Sequence, residues 1–168
     1  TQQLVQYSQV EQSIQQTGAL KDILASLSTQ DLAQSANFLG KRAELDSPAA
    51  GLSADRPAEW SWQTSRPIQS LSATISDASG RVVETRILDA ATAGRFDWNG
   101  SLANGGKAAA GGYTLSLSAL DAAGQNVPVT IKSMGIVDEV ATLDGAVMLG
   151  VNGQTFPAAA LVRVIAPE

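Results

Sequence analysis

Gly100, Gly105, Gly106 and Lys107 are the first residues whose types could do chemistry, since a glycine-rich loop ending in lysine can cradle a phosphate. The register fails. Lys107 is followed by Ala108 rather than Ser or Thr, position 101 is Ser where the first glycine should stand, and no strand-loop-helix context follows. A turn-rich loop is the expectation. The carboxylates Asp77, Asp89, Asp97, Asp121, Asp138, Glu139 and Asp144 scatter over predicted turns and strand ends, and none has the Asp-x-Asp-x-Asp-Gly spacing of a calcium loop. The 168 residues contain no Cys and no His. Zinc sites of Cys/His type, disulfides, thiol nucleophiles and any triad with a histidine base are thereby excluded. No catalytic residue, cofactor or metal site is expected, and the chain does not read as an enzyme.

Aromatic side chains are the remaining candidates. Trp60, Trp62, Phe96, Trp98 and Tyr113 fall together, and most are expected in a core. The pair Trp60/Trp62, alternating with Glu59, Ser61 and Gln63, is the candidate exposed aromatic surface. It defines the alternative reading of the chain, an extracellular carbohydrate- or protein-binding β-sandwich module. Asn99-Gly100-Ser101 has the glycosylation spacing but reads more simply as a tight turn. With 11 Lys and Arg against 16 Asp and Glu, the net charge is −5, so no cation excess exists to displace counterions from nucleic acid or an anionic membrane. No apolar run is long enough to insert into a bilayer.

The elements that must position these residues change texture three times. Residues 1–37 hold no Pro, one Gly and nine Gln, with Leu4, Tyr7, Val10, Ile14, Leu24 and Leu27 on one apolar helical stripe. That stripe is the candidate assembly helix, though a helix packed on its own domain reads equally well. Residues 40–45 form a short strand, and 46–57, with two Pro and three Ala, reads as a linker. From Ile68 the chain repeats weakly. Leu71, Ser72, Asp77, Ala78, Gly80, Val83 and Ile87 recur 44 positions later as Leu115, Ser116, Asp121, Ala122, Gly124, Val127 and Ile131. Each copy is a strand, an Asp-Ala-x-Gly turn and a strand, which is a β-hairpin. In the second copy Tyr113, Leu115, Leu117 and Ala119 alternate with Thr114, Ser116 and Ser118. Four short strands follow at 136–140, 146–151, 154–156 and 161–165, with Asn152-Gly153 the strongest hairpin signal in the chain. The expected architecture is mainly β: a helical segment at 1–37, a small discontinuous barrel from 38–53 and 132–168, and an inserted fibronectin type III/immunoglobulin-like sandwich at 54–131.

Several segments, in this order, resemble the flagellar hook-capping family, the scaffold for hook assembly. They are the helical stretch from Gln3 to Gln12 with its Ser8-Gln9-Val10-Glu11, then Leu39-Gly40-Lys41, Phe96-Asp97-Trp98-Asn99-Gly100, Gly111-Gly112-Tyr113-Thr114, Asp144-Gly145 and Val151-Asn152-Gly153. The resemblance implies a Tudor-like barrel interrupted by the sandwich, carried on an N-terminal helix. It implies flagellar hook protein subunits as partners, self-association of the full-length protein into a cap ring, passage through the flagellar export apparatus, and a place outside the cell at the distal end of the growing hook. The family has a further segment ahead of the helix, and this chain, which opens without Met inside a helical pattern, is expected to lack it. Only Phe38 and Phe156 are aromatic in the predicted barrel, too few for a methyl-lysine cage.

Overall fold

A computed structural model describes residues 32–165. The candidate assembly stripe from Leu4 to Leu27 lies outside the described residues. Residues 32–35 are helical and run into a 3-10 turn at Ala36–Phe38. Twelve strands follow: β1 (Arg42–Leu45), β2 (Ala49–Leu52), β3 (Ala58–Thr64), β4 (Ser70–Ser76), β5 (Val82–Leu88), β6 (Ala93–Trp98), β7 (Gly111–Leu120), β8 (Asn126–Val127), β9 (Val129–Leu143), β10 (Ala146–Val151), β11 (Gln154–Pro157) and β12 (Leu161–Ile165). The described chain is mainly β, as its alternating sequence requires.

Two sheets result. One runs β2-β7-β4-β5, with β8 beside β7; the other runs β11-β10-β9-β1-β12 and curls into a half-barrel, with β3 on β9 and β6 on β3. Period-two patterning places the core. Leu71, Ala73 and Ile75 of β4 and Tyr113, Leu115 and Ala119 of β7 turn inward, against Ala58, Trp60, Trp62, Phe96 and Trp98 from β3 and β6. A separate, smaller cluster of Ala43, Leu45, Val137, Leu149, Val151 and Phe156 fills the half-barrel.

The repeated hairpins fold as expected, and their turns share hydrogen bonds residue for residue. Asp77 N–H donates to Arg81 C=O and Gly80 N–H to Asp77 C=O; Asp121 N–H donates to Gln125 C=O and Gly124 N–H to Asp121 C=O. Gly80 and Gly124 take φ of 88° and 77°, where a side chain would be strained. The copies diverge at Glu84 and Pro128. Through Glu84, β5 stays on β4 as far as Leu88. Pro128 has no N–H to give a ladder, so the chain leaves β7 after Val127 and re-emerges as β9 in the other sheet, where Val129–Met134 pairs with β3.

Two expectations change. The supposed linker contains β2, which pairs with β7 from Ala49↔Thr114 to Leu52↔Gly111 and buries Ala50 and Leu52. Ala and Gly carry little strand preference, and pairing to β7 overrides it. The texture change at Lys132 is not a break either: β9 is continuous across it, about 50 Å of extended chain at the usual rise per residue. It pairs with β3 at one end and β10 at the other, and with β1 in between.

Candidate functional site: a cationic cleft on the shared sheet

Because Trp60 and Trp62 point into the core, Ser61 and Gln63 point out. The register sets Arg95, Ser61 and Lys132 side by side across β6, β3 and β9, with Ala93, Gln63 and Thr130 forming the next row. Beyond β9, Glu44 of β1 stands opposite Arg163 of β12. These residues line an open cleft of about 400 Å³. Glu44 is only 6% exposed and accepts a hydrogen bond from Arg163 Nε at 2.6 Å, while Lys132 Nζ lies 3.9 Å away. A carboxylate so deeply placed needs its cation, since charge stripped of water and left unpaired is costly. Arg95, Ser61, Gln63 and Thr130 make no side-chain hydrogen bond or ion pair among the described residues. Beneath the cleft the Trp62 ring packs against Gly94, where an added Cβ would come within 2.5 Å of the indole.

Trp60 and Trp62 therefore do not form an exposed surface. Trp60 is fully buried and donates Nε1–H to Pro48 C=O at 2.8 Å; Trp62 is 9% exposed and donates to Ala91 C=O at 3.3 Å. Each indole buries its apolar body and satisfies its one donor on a backbone carbonyl. Trp98 does the same with Ser101 C=O and packs edge-on to Tyr113, whose hydroxyl donates to Ala109 C=O. Burial raises the Tyr113 phenol above its usual range.

The turn carboxylates have structural employment. Asp77 Oδ1 accepts from the Ser79 hydroxyl and from the Ser79 and Arg81 amides. These bonds, that from the Ser79 hydroxyl foremost, hold its carboxyl below the ordinary carboxylate range. Asp121 is lowered chiefly by the Gln125 amide and then by Arg66, 3.0 Å away. Among the described residues no three acids gather as a metal site would need. The glycine-rich loop is a small hairpin closed by a Ser101↔Lys107 bridge and followed by strand β7. The cleft residues escaped sequence reasoning because Glu44 and Arg163 stand 119 positions apart in the chain. The one local signal is the charge at Glu44, set between the apolar residues Ala43 and Leu45.

Two sheets, with an open polar cleft and the large aromatics turned inward, define the class of fold: mainly β, a sandwich continuous through one long strand with a half-barrel. The comparisons narrow the class. A family model described as the FlgD Ig-like domain matches residues 47–124. Among solved structures the chain is similar to FlgD from Xanthomonas campestris, whose structure is described as giving insight into the hook capping essential for flagellar assembly. The two are 26% identical with a TM-score of 0.66, over 80% of this chain and 99% of that one. FlgD from P. aeruginosa shares the fold at 20% identity and a TM-score of 0.59, over 74% of this chain and 95% of that one. No curated protein matches the chain. Residues 47–124 are thus similar to the FlgD Ig-like domain, and the likeness to the Xanthomonas structure extends over 80% of the chain.

Proposed function

We propose that this chain is a non-enzymatic scaffold of flagellar hook assembly, a cap that holds exported hook subunits at the growing tip while they add. The observation that carries the reading is the likeness to the Xanthomonas hook-capping protein, which runs through half-barrel and sandwich alike. In this reading 38–53 with 132–168 and 54–131 act as one body, because β9 lies in the ladder of both. The stripe from Leu4 to Leu27 tethers and oligomerises the cap, and like subunits meet head-to-tail, as closure of a ring at the end of a tube demands. The protein reaches that place through the flagellar export apparatus. With Trp60 and Trp62 inward, nothing specific favours the carbohydrate-binding alternative.

The test is genetic. Deleting the gene for this chain in its own organism is expected to leave basal bodies without hooks by electron microscopy, and returning the gene restores them. Hooks of normal length and number in the deletion strain would overturn the proposal.

A further inference from the structure

We infer that the cleft over β6, β3, β9 and β12 binds a carboxylate side chain of an extended acidic protein segment. Three of the chain's 11 cations, Arg95, Lys132 and Arg163, line this cleft with a single carboxylate, on a protein whose net charge is −5. Glu44 occupies Arg163 at 2.6 Å but holds Lys132 only loosely at 3.9 Å, and Arg95 has no carboxylate partner among the described residues. Arg95 and Lys132 flank Ser61 on neighbouring strands. At the usual interstrand spacing their backbones are about 10 Å apart, and both side chains line the same cleft as Ser61. A planar guanidinium fork, an ammonium and a hydroxyl make a donor set suited to a carboxylate.

The charge balance selects the occupant. A polyanion such as nucleic acid or an anionic lipid surface needs a broad cation excess, and would meet an acidic protein with Glu44 inside the site. A single monoanionic side chain needs only what the cleft provides. Gln63 and Thr130, both exposed and without side-chain partners among the described residues, stand in the adjacent row and can hydrogen-bond the peptide groups of the segment that carries it. The inference concerns the chemistry the cleft accepts and does not depend on which protein supplies the segment.

The test uses the ¹⁵N-labelled chain titrated with acetyl-Gly-Glu-Gly-Glu-Gly-amide, with its Gln counterpart, and with inorganic phosphate, at low and high salt. The Glu peptide is expected to shift the amides of Ser61, Gln63, Thr130 and Lys132 saturably, more weakly at high salt, while the Gln peptide leaves them in place. Arg95→Gln, at an exposed position, is expected to weaken the Glu peptide by about tenfold, the usual worth of a charge-assisted hydrogen bond, with unchanged amides in β10 and β11 reporting an intact fold. Equal shifts with the Gln peptide, shifts confined to other surfaces, undiminished binding by Arg95→Gln, or phosphate binding as tightly as the Glu peptide would each overturn it.

Discussion

Asn152 offers the sharpest test of how the two cores are joined. It occupies the turn between β10 and β11 with φ of 53° and is 7% exposed. Its Nδ2 donates to Gly51 C=O at 2.5 Å and more loosely to Arg56 and Pro57 C=O at 3.3 and 3.4 Å. One side chain of the half-barrel hairpin thus holds the entry to the sandwich. Asn152→Asp keeps the shape and tolerates the left-handed backbone, but it aims a carboxylate at three carbonyl oxygens. Losing one good hydrogen bond costs about 1 kcal/mol, and burying an unpaired acceptor or charge adds about 2–3 kcal/mol more. Asn152→Gly keeps the backbone freedom and loses only the bonds, about 1–2 kcal/mol.

Urea unfolding followed by tryptophan fluorescence measures both variants. The expectation is a loss of about 3–4 kcal/mol for Asn152→Asp at neutral pH, clearly larger than for Asn152→Gly. The introduced acid is disfavoured as an anion in the folded state, so its folded pKa lies above the unfolded value of about 3.9. The folded protein then binds the extra proton first, and the deficit of the Asp variant narrows as pH falls from neutral toward 5. An Asp variant no less stable than the Gly variant, or a deficit that ignores pH, would refute the claim that Nδ2 joins the two parts.

Three further outcomes are expected. Ser133 lies where β1, β9 and β3 meet, and its buried hydroxyl has no hydrogen-bond partner among the described residues. Ser133→Ala is therefore expected to raise stability by up to about 1 kcal/mol in the same urea assay, and a loss of that size would contradict it. Gly94→Ala pushes a methyl to 2.5 Å from the Trp62 indole and is expected to cost about 1–3 kcal/mol of overpacking, with a shifted Trp emission. Asp77 and Asp121 are lowered in the folded protein, so their contribution is fully present above the unfolded carboxyl pKa of about 3.9. It is lost as pH falls from there through the folded values; replacing both by Asn should flatten the acid limb of the stability profile measured by urea midpoints.

Local patterning made the hairpins legible. The offset of 44 between Asp77 and Asp121 predicts two matching turns, and the same acceptor geometry appears at both. Asn152-Gly153 likewise announces the turn that closes β10 on β11. Non-local pairing was less legible. Ala49–Leu52 carries no strand signal of its own and becomes β2 because β7 offers it an edge. The continuity of β9 hides behind a composition change at Lys132, since one end of the strand serves the sandwich and the other the half-barrel. Trp60 and Trp62 alternate with polar residues as a half-buried strand must, but alternation does not say which face meets water. Core packing decided that, and put the indoles inside. The cleft is the least legible feature of all: Glu44, Arg95, Lys132 and Arg163 belong to separate strands and meet only through sheet register.

The scaffold claim is tested most directly by photo-cross-linking in cells that are building hooks, from a photoreactive residue placed at exposed Gln63 on the outer face of β3. The account predicts a cross-link to the hook subunit that appears during hook growth. Protein present at the growing hook but cross-linked to no hook subunit, from Gln63 or from exposed positions on either sheet such as Ile87 and Leu143, would contradict it.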